Sequence, residues 1–148
     1  MNKGQTGWLP TKSSEVKMYY FAYASNLNLR QMQERCPDSL PRFPATLHHY
    51  QLAFISWSRQ WRGGTATIRP FRGGKVLGAI YEVSEDCLRR LDKYEGRDYR
   101  RLNVIVNNED GKPVEAVTYI RSGQAEPAKP SKEYLAVIQQ GYKDWRLI

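Results

Sequence analysis

Glu95 is the residue of this chain best placed to move protons. Between Ser84 and Gly96 the apolar residues Cys87, Leu88, Leu91 and Tyr94 recur at three- and four-residue intervals and mark one helix face, while Arg89, Arg90, Asp92 and Lys93 fall opposite. Glu95 follows Leu91 by four positions and Leu88 by seven, so it joins the core-facing stripe at the helix end, beside a glycine that keeps the surroundings open. A carboxylate there loses hydration, which disfavours its charged form and raises its pKa toward the range useful for acid/base catalysis near neutrality. The competing reading is structural: a glutamate paired with Arg97 or Arg100, or left in water by a frayed helix end. A second candidate is the junction Tyr20-Phe21-Ala22-Tyr23-Ala24-Ser25-Asn26-Leu27, where an apolar strand breaks into Ser-Asn and a helical pattern. Ser25 or Asn26 is suited to cap a helix over Leu27 to Arg35, and the free N–H groups of such a start attract carboxylates and developing oxyanions. Every strand-to-helix passage needs a cap, so spacing alone does not make this a site.

Other combinations carry less. His48-His49 lies on a strand pattern, which points the two rings to opposite faces, and no third ligand is apparent, so no metal site is expected. There is no GxSxG, Walker A or GxGxxG sequence, and the glycine pairs 63-64 and 73-74 read as hairpin turns. Cys36 and Cys87 are far apart, with no CxxC and no neighbouring His; they read as small buried hydrophobes rather than a zinc site or a disulfide framework. Trp57, Arg59, Trp61 and Arg62 suit either stacking on nucleic acid or the rim of a small-molecule pocket. The basic residues are scattered rather than striped, which disfavours nucleic acid.

The elements that must position these groups follow from pattern. With 148 residues and 41% hydrophobic content the chain is one domain's worth. A net charge of +8 favours anionic ligands. No apolar run approaches the roughly 18 residues of a membrane span and no signal-peptide pattern opens the chain, so a soluble cytoplasmic protein is expected. Met1 to Lys17 reads as a flexible polar tail, with the domain over residues 18–148. Strands are expected at Met18 to Ala24, Ala45 to Trp57, Thr65 to Arg69 and Val76 to Val83, then a helix from Ser84 to Gly96. A hairpin of Arg100 to Val106 and Val114 to Arg121, and a helix from about Ser131 to Trp145, complete an α+β domain with a curled or closed mixed sheet.

Four segments, in this order, resemble the gamma-glutamylcyclotransferase-like family. Tyr20 to Leu27 is similar to its YFAYGSNL segment, Gly63-Gly64-Thr65-Ala66-Thr67-Ile68 to its GGxATI strand, Val76 to Tyr81 to its VxGxxY/W strand, and Leu91 to Gly96 to its LDxxEG helix end. A weaker likeness joins Pro130-Ser131-Lys132-Glu133-Tyr134 to its PSxxY helix start. The resemblance implies a small closed mixed β-barrel of about six strands flanked by helices. It implies Glu95 as the catalytic acid/base, Tyr20, Phe21, Ala22, Tyr23, Ala24, Ser25, Asn26 and Leu27 as the glutamyl-binding segment, and Tyr119 and Tyr134 as pocket-lining or barrel-packing aromatics. It also implies a small γ-glutamyl substrate, converted to 5-oxoproline and a free amine without metal or cofactor. Two departures stand out. Ala24 replaces a glycine, which matters if that position needs φ above zero. Longer relatives continue past the segment matched by Gly141-Tyr142, so any cap that segment gives is absent or borrowed.

Overall fold

The computed structural model describes residues 17–148. The tail expected over residues 1–17 lies outside these except for Lys17, whose Nζ pairs with Glu82 Oε2 at 2.9 Å. The first strand, β1 (Met18–Ala22), runs into a 3-10 turn (Ser25–Leu27) and a short helix, α1 (Leu29–Arg35). Two long strands follow, β2 (Leu40–Ser58) and β3 (Gly63–Val83), then α2 (Glu85–Glu95), the hairpin β4 (Tyr99–Asn107) and β5 (Pro113–Arg121), and α3 (Lys132–Asp144). The strands close a barrel in the order β1-β3-β2-β4-β5. β5 returns to β1 in parallel, through Tyr20 and Val117, and the other pairs are antiparallel, so the sheet is mixed.

The barrel has five strands rather than about six, because Gly73-Gly74 is not a turn. Pairing passes from His48–Lys75 to Tyr50–Pro70, so residues 71–74 bulge from one continuous strand, with Gly73 at φ 81. The same bulge carries His49 at φ 68 and breaks the alternation expected of the two histidines; both are exposed, with ring centroids 6.4 Å apart. Gly63 and Gly64 are also not turn residues. They pair with Ser58 and Trp57, and the link is residues 59–62. Gly64 serves close packing: a Cβ there would lie 2.0 Å from the carbonyl oxygen of Ala128.

Period-2 alternation divides the core. Phe21 and Tyr23 point into a cluster contributed by all five strands, with Ile68, Ile80 and Val106 at its centre. Tyr20 and Ala22 point outward, where Tyr81, Leu88, Leu91 and Met32 bind α1 and α2 to the barrel wall. Cys36 and Cys87 belong to this outer layer and are fully buried, as expected, but they are joined Sγ to Sγ as a disulfide with Cα atoms 5.5 Å apart. The bond ties the end of α1 to the first turn of α2. Tertiary packing, not sequence spacing, brings the two cysteines together.

Candidate active site

Asn28, rather than Ser25 or Asn26, caps α1: its Oδ1 accepts the Gln31 N–H at 3.0 Å. That leaves Ser25 and Asn26 free to shape the turn. Leu27 and Asn28 donate to the carbonyls of Ala24 and Ser25, both at 3.0 Å, while the amides of Ser25 and Asn26 stand at the start of the turn, ahead of any intrahelical acceptor. Asn26 is buried and its side chain is fully engaged: Nδ2 donates to the Tyr20 hydroxyl at 3.0 Å, and Oδ1 accepts from Gln31 Nε2 at 3.0 Å and Arg35 Nη1 at 3.1 Å. The Tyr81 hydroxyl donates to the Asn26 carbonyl at 2.8 Å. From the other side α3 clamps the turn. Trp145 Nε1 donates to the Leu27 carbonyl at 2.9 Å, and the Leu29 N–H donates to Asp144 Oδ2 at 3.0 Å. Gly141 approaches so closely that a Cβ would lie 2.5 Å from the Asn28 nitrogen. Ala24 sits at φ −135, outside the left-handed region, so the position makes no such demand for glycine.

Ser84 caps α2, accepting the Cys87 N–H at 3.1 Å, and Gly96 ends it at φ 87. The last helical residue is Glu95. It opens into a cavity of about 40 Å³ whose other walls are Tyr20, Tyr23, Ala24, Ser25, Asn26, Ala66, Tyr119 and Tyr134. Among the described residues its carboxylate has no ion pair, so neither Arg97 nor Arg100 is its partner. Loss of hydration pushes its pKa up to about 7, with the nearby Arg35 cation opposing the rise and Asp92 adding to it. Arg35 is itself buried and lies 4.5 Å from the centroid of the Tyr94 ring. That contact explains why Tyr94, expected in the apolar stripe, is half exposed: its ring covers a guanidinium instead of entering the core.

The cavity's tyrosines are held in place. The Tyr23 hydroxyl donates to the Tyr119 carbonyl at 2.8 Å; Tyr119 donates to Asp92 Oδ1 at 2.5 Å; the Tyr134 hydroxyl accepts the Ala66 N–H at 2.9 Å. Burial holds all these hydroxyls, and that of Tyr20, well above the ordinary phenol value, so they remain protonated. Phe21, Ala22 and Leu27 are fully buried and line neither this cavity nor the cleft beside it. They place the turn without facing its solvent side.

An outer cleft of about 230 Å³ shares Ser25, Ala66, Glu95 and Tyr134 with the inner cavity. Trp57, Trp61, Tyr94, Tyr99 and Arg121 are among its other walls. Trp61 packs on Tyr134 with ring centroids 4.8 Å apart, and a bulge at Ser56 (φ 58) shifts the register just before Trp57. Trp57 and Trp61 thus line the cleft, whereas Arg59 and Arg62 do not. Among the described residues no group of His, Cys, Asp and Glu is arranged to hold a metal ion, and no helix is long and apolar enough to cross a membrane.

A family profile described as gamma-glutamyl cyclotransferase, AIG2-like, matches residues 20–146. The chain belongs to this family. It is similar to the gamma-glutamylcyclotransferase of Homo sapiens, with 31% identity over 90% of the chain and 74% of that protein, and to the Bos taurus gamma-glutamylcyclotransferase, with 33% identity over 84% and 70%. Among solved structures it resembles a gamma-glutamyl cyclotransferase at a TM-score of 0.83 and 30% identity, covering 87% of this chain and 80% of that one. YkqA of Bacillus subtilis is similar at a TM-score of 0.71 and 25% identity, over 89% of this chain and 50% of that one. Within this gamma-glutamyl cyclotransferase-like chain, Arg35, Tyr99 and Arg121 line the cleft without having been singled out from the sequence, and for Arg35 a signal existed. Met32 and Arg35, three apart, form the buried side of α1, so a charge lies on an apolar face there as Glu95 does on α2.

Proposed function

We propose that this chain is a gamma-glutamyl cyclotransferase-type enzyme that converts a γ-glutamyl amino acid, peptide or amine into 5-oxoproline and a free amine. One observation carries the reading: a poorly hydrated glutamate, with no ion pair among the described residues, opens into the same small cavity as the Tyr23 to Asn26 turn. The substrate's own α-amino group is the nucleophile, so no enzyme nucleophile is required. Holding the glutamyl chain folded, with that nitrogen near its γ-carbonyl, is worth about 7 to 11 kcal/mol in well-oriented intramolecular reactions.

Glu95 takes a proton from the α-ammonium; the nitrogen attacks the γ-carbon and forms the ring bond. As the tetrahedral centre collapses, Glu95 gives that proton to the leaving nitrogen and the bond to it breaks; the ring nitrogen, which still carries two hydrogens, releases one through Glu95 to the departing amine, so the products are a lactam N–H and an ammonium. Electrons and protons balance within the substrate, and no cofactor is called for. Backbone amides of the Ala24 to Asn26 turn hold the substrate's carboxylate or the developing oxyanion, with Tyr20, Tyr119 and Tyr134 shaping the pocket. The decisive experiment is 5-oxoproline release by Glu95→Gln, expected to fall about 100- to 10,000-fold below wild type. Retention of most of the wild-type rate would remove Glu95 from the chemistry.

A further inference from the structure

Arg121 ends β5 at the outer cleft, directly opposite Tyr99 of β4 in the hairpin register. Its backbone is pinned, since its N–H donates to the buried Thr67 hydroxyl at 2.9 Å. Tyr99 is pinned as well: its hydroxyl donates to the Ala66 carbonyl at 2.9 Å and meets the Thr65 hydroxyl at 2.8 Å. The Arg121 side chain is only 15% exposed, yet its charge is poorly matched. Nη1 reaches Asp98 at 3.4 Å, an aspartate side chain 64% exposed to water, and the buried Nε has no hydrogen-bond partner among the described residues. A guanidinium taken this far from water costs free energy unless an anion offsets it.

The ionisable side chains facing the cleft are Arg35, Arg97, Arg121, Tyr94, Tyr99, Tyr134, Glu95 and Asp98. Arg35 is already engaged by Asn26 and the Tyr94 ring, and Arg97 is exposed. Arg121 is therefore the cation with most to gain from a ligand. If the glutamyl group fills the inner cavity next to Glu95, the leaving amine projects into the outer cleft, toward the wall that Arg121 forms.

We infer that Arg121 is a specificity-determining residue that binds a carboxylate on the leaving amine, so the cleft favours γ-glutamyl amino acids over uncharged γ-glutamyl amines. This rests on the cyclotransferase reading of the same site. A carboxylate offers a guanidinium an opposite charge and two acceptor oxygens for a bidentate pair, whereas a neutral leaving group offers at most uncharged acceptors and a cationic one repels it.

The test compares γ-glutamylalanine with γ-glutamylalaninamide, which differ in that one charge, by 5-oxoproline release. Wild type is expected to prefer the carboxylate by about 10- to 100-fold in kcat/KM, the range of one hydrogen bond to a charged group. Arg121→Met should lower kcat/KM for γ-glutamylalanine mainly through KM and bring the two substrates within about threefold of each other. Arg121→Lys should keep part of the preference. Equal use of both compounds by wild type, or an Arg121→Met loss that is the same for both, overturns the role of Arg121 and leaves the cyclotransferase reading standing. Absence of 5-oxoproline from both overturns that reading and this inference together.

Discussion

A carboxyl with pKa about 7 is half ionised at neutral pH, which gives Glu95 signatures beyond loss of activity. In the proposed role of base it must be ionised, so kcat/KM should rise with pH through an ascending limb near 7. Arg35 opposes the upward shift, so Arg35→Met should move that limb to higher pH; an unmoved limb would mean the guanidinium does not act on Glu95. Stability carries the same imprint. Because the folded pKa lies above the ordinary 4.5, the stability contributed by the neutral carboxyl is full below 4.5 and lost as pH rises through about 7. Glu95→Gln stays neutral, so its advantage over wild type should open across that window, reaching on the order of 1–3 kcal/mol at pH 8 in urea titrations. A difference that does not vary with pH would place the carboxyl in water. The core-facing position of Glu95 at the end of α2 was legible because helical spacing is local information. The Cys36–Cys87 bond was not, since it depends on how α1 and α2 meet across the barrel wall.

At the scale of elements, α2, α3 and the β4–β5 hairpin were legible from caps and turn residues: Ser84, Gly96, Ser131 and the Asn107 to Lys112 stretch act within a few positions of themselves. The long β2–β3 hairpin was not. Gly73-Gly74 has a turn's composition, but the register of the flanking strands keeps the chain going straight, and only cross-strand pairing carries that information. The first helix start was misjudged for a related reason: burial of Ser25 and Asn26 against Gln31 and Arg35 outweighed their preference as caps and passed that role to Asn28. Gly64 gives this scale its test. Gly64→Ala forces a methyl against the Ala128 backbone, just before the Ser131 cap of α3. It should cost about 1–3 kcal/mol of stability, seen as a lower Tm, and reduce activity as the Tyr134 wall shifts. An unchanged Tm would mean that the segment around Ala128 yields freely.

Across the whole molecule, the family was legible because its motifs recur in order along the chain and the barrel brings three of them to one place: the Tyr20 to Leu27 turn, Ala66 of the Gly-Gly strand and Glu95 of the helix end. The outer cleft was legible only in part: Trp57 and Trp61 suited a pocket rim in the sequence, but tertiary folding alone brings Arg35, the Tyr94 to Tyr99 stretch, Arg121 and Tyr134 to them. The Ser25–Leu27 turn and the start of α1 depend on partners at the far end of the sequence, at separations of 115 and 118 residues for Leu29–Asp144 and Leu27–Trp145. Trp145→Phe removes one such tie and should cost about 1 kcal/mol. Loops of that length are entropically expensive to close, whereas β4 and β5 are joined by a short local connection. The turn is therefore expected to form late on refolding and to be lost early in urea. Turnover should vanish at denaturant concentrations where the barrel's circular dichroism is still intact, so that catalysis reports a local melting of the molecule before any global one.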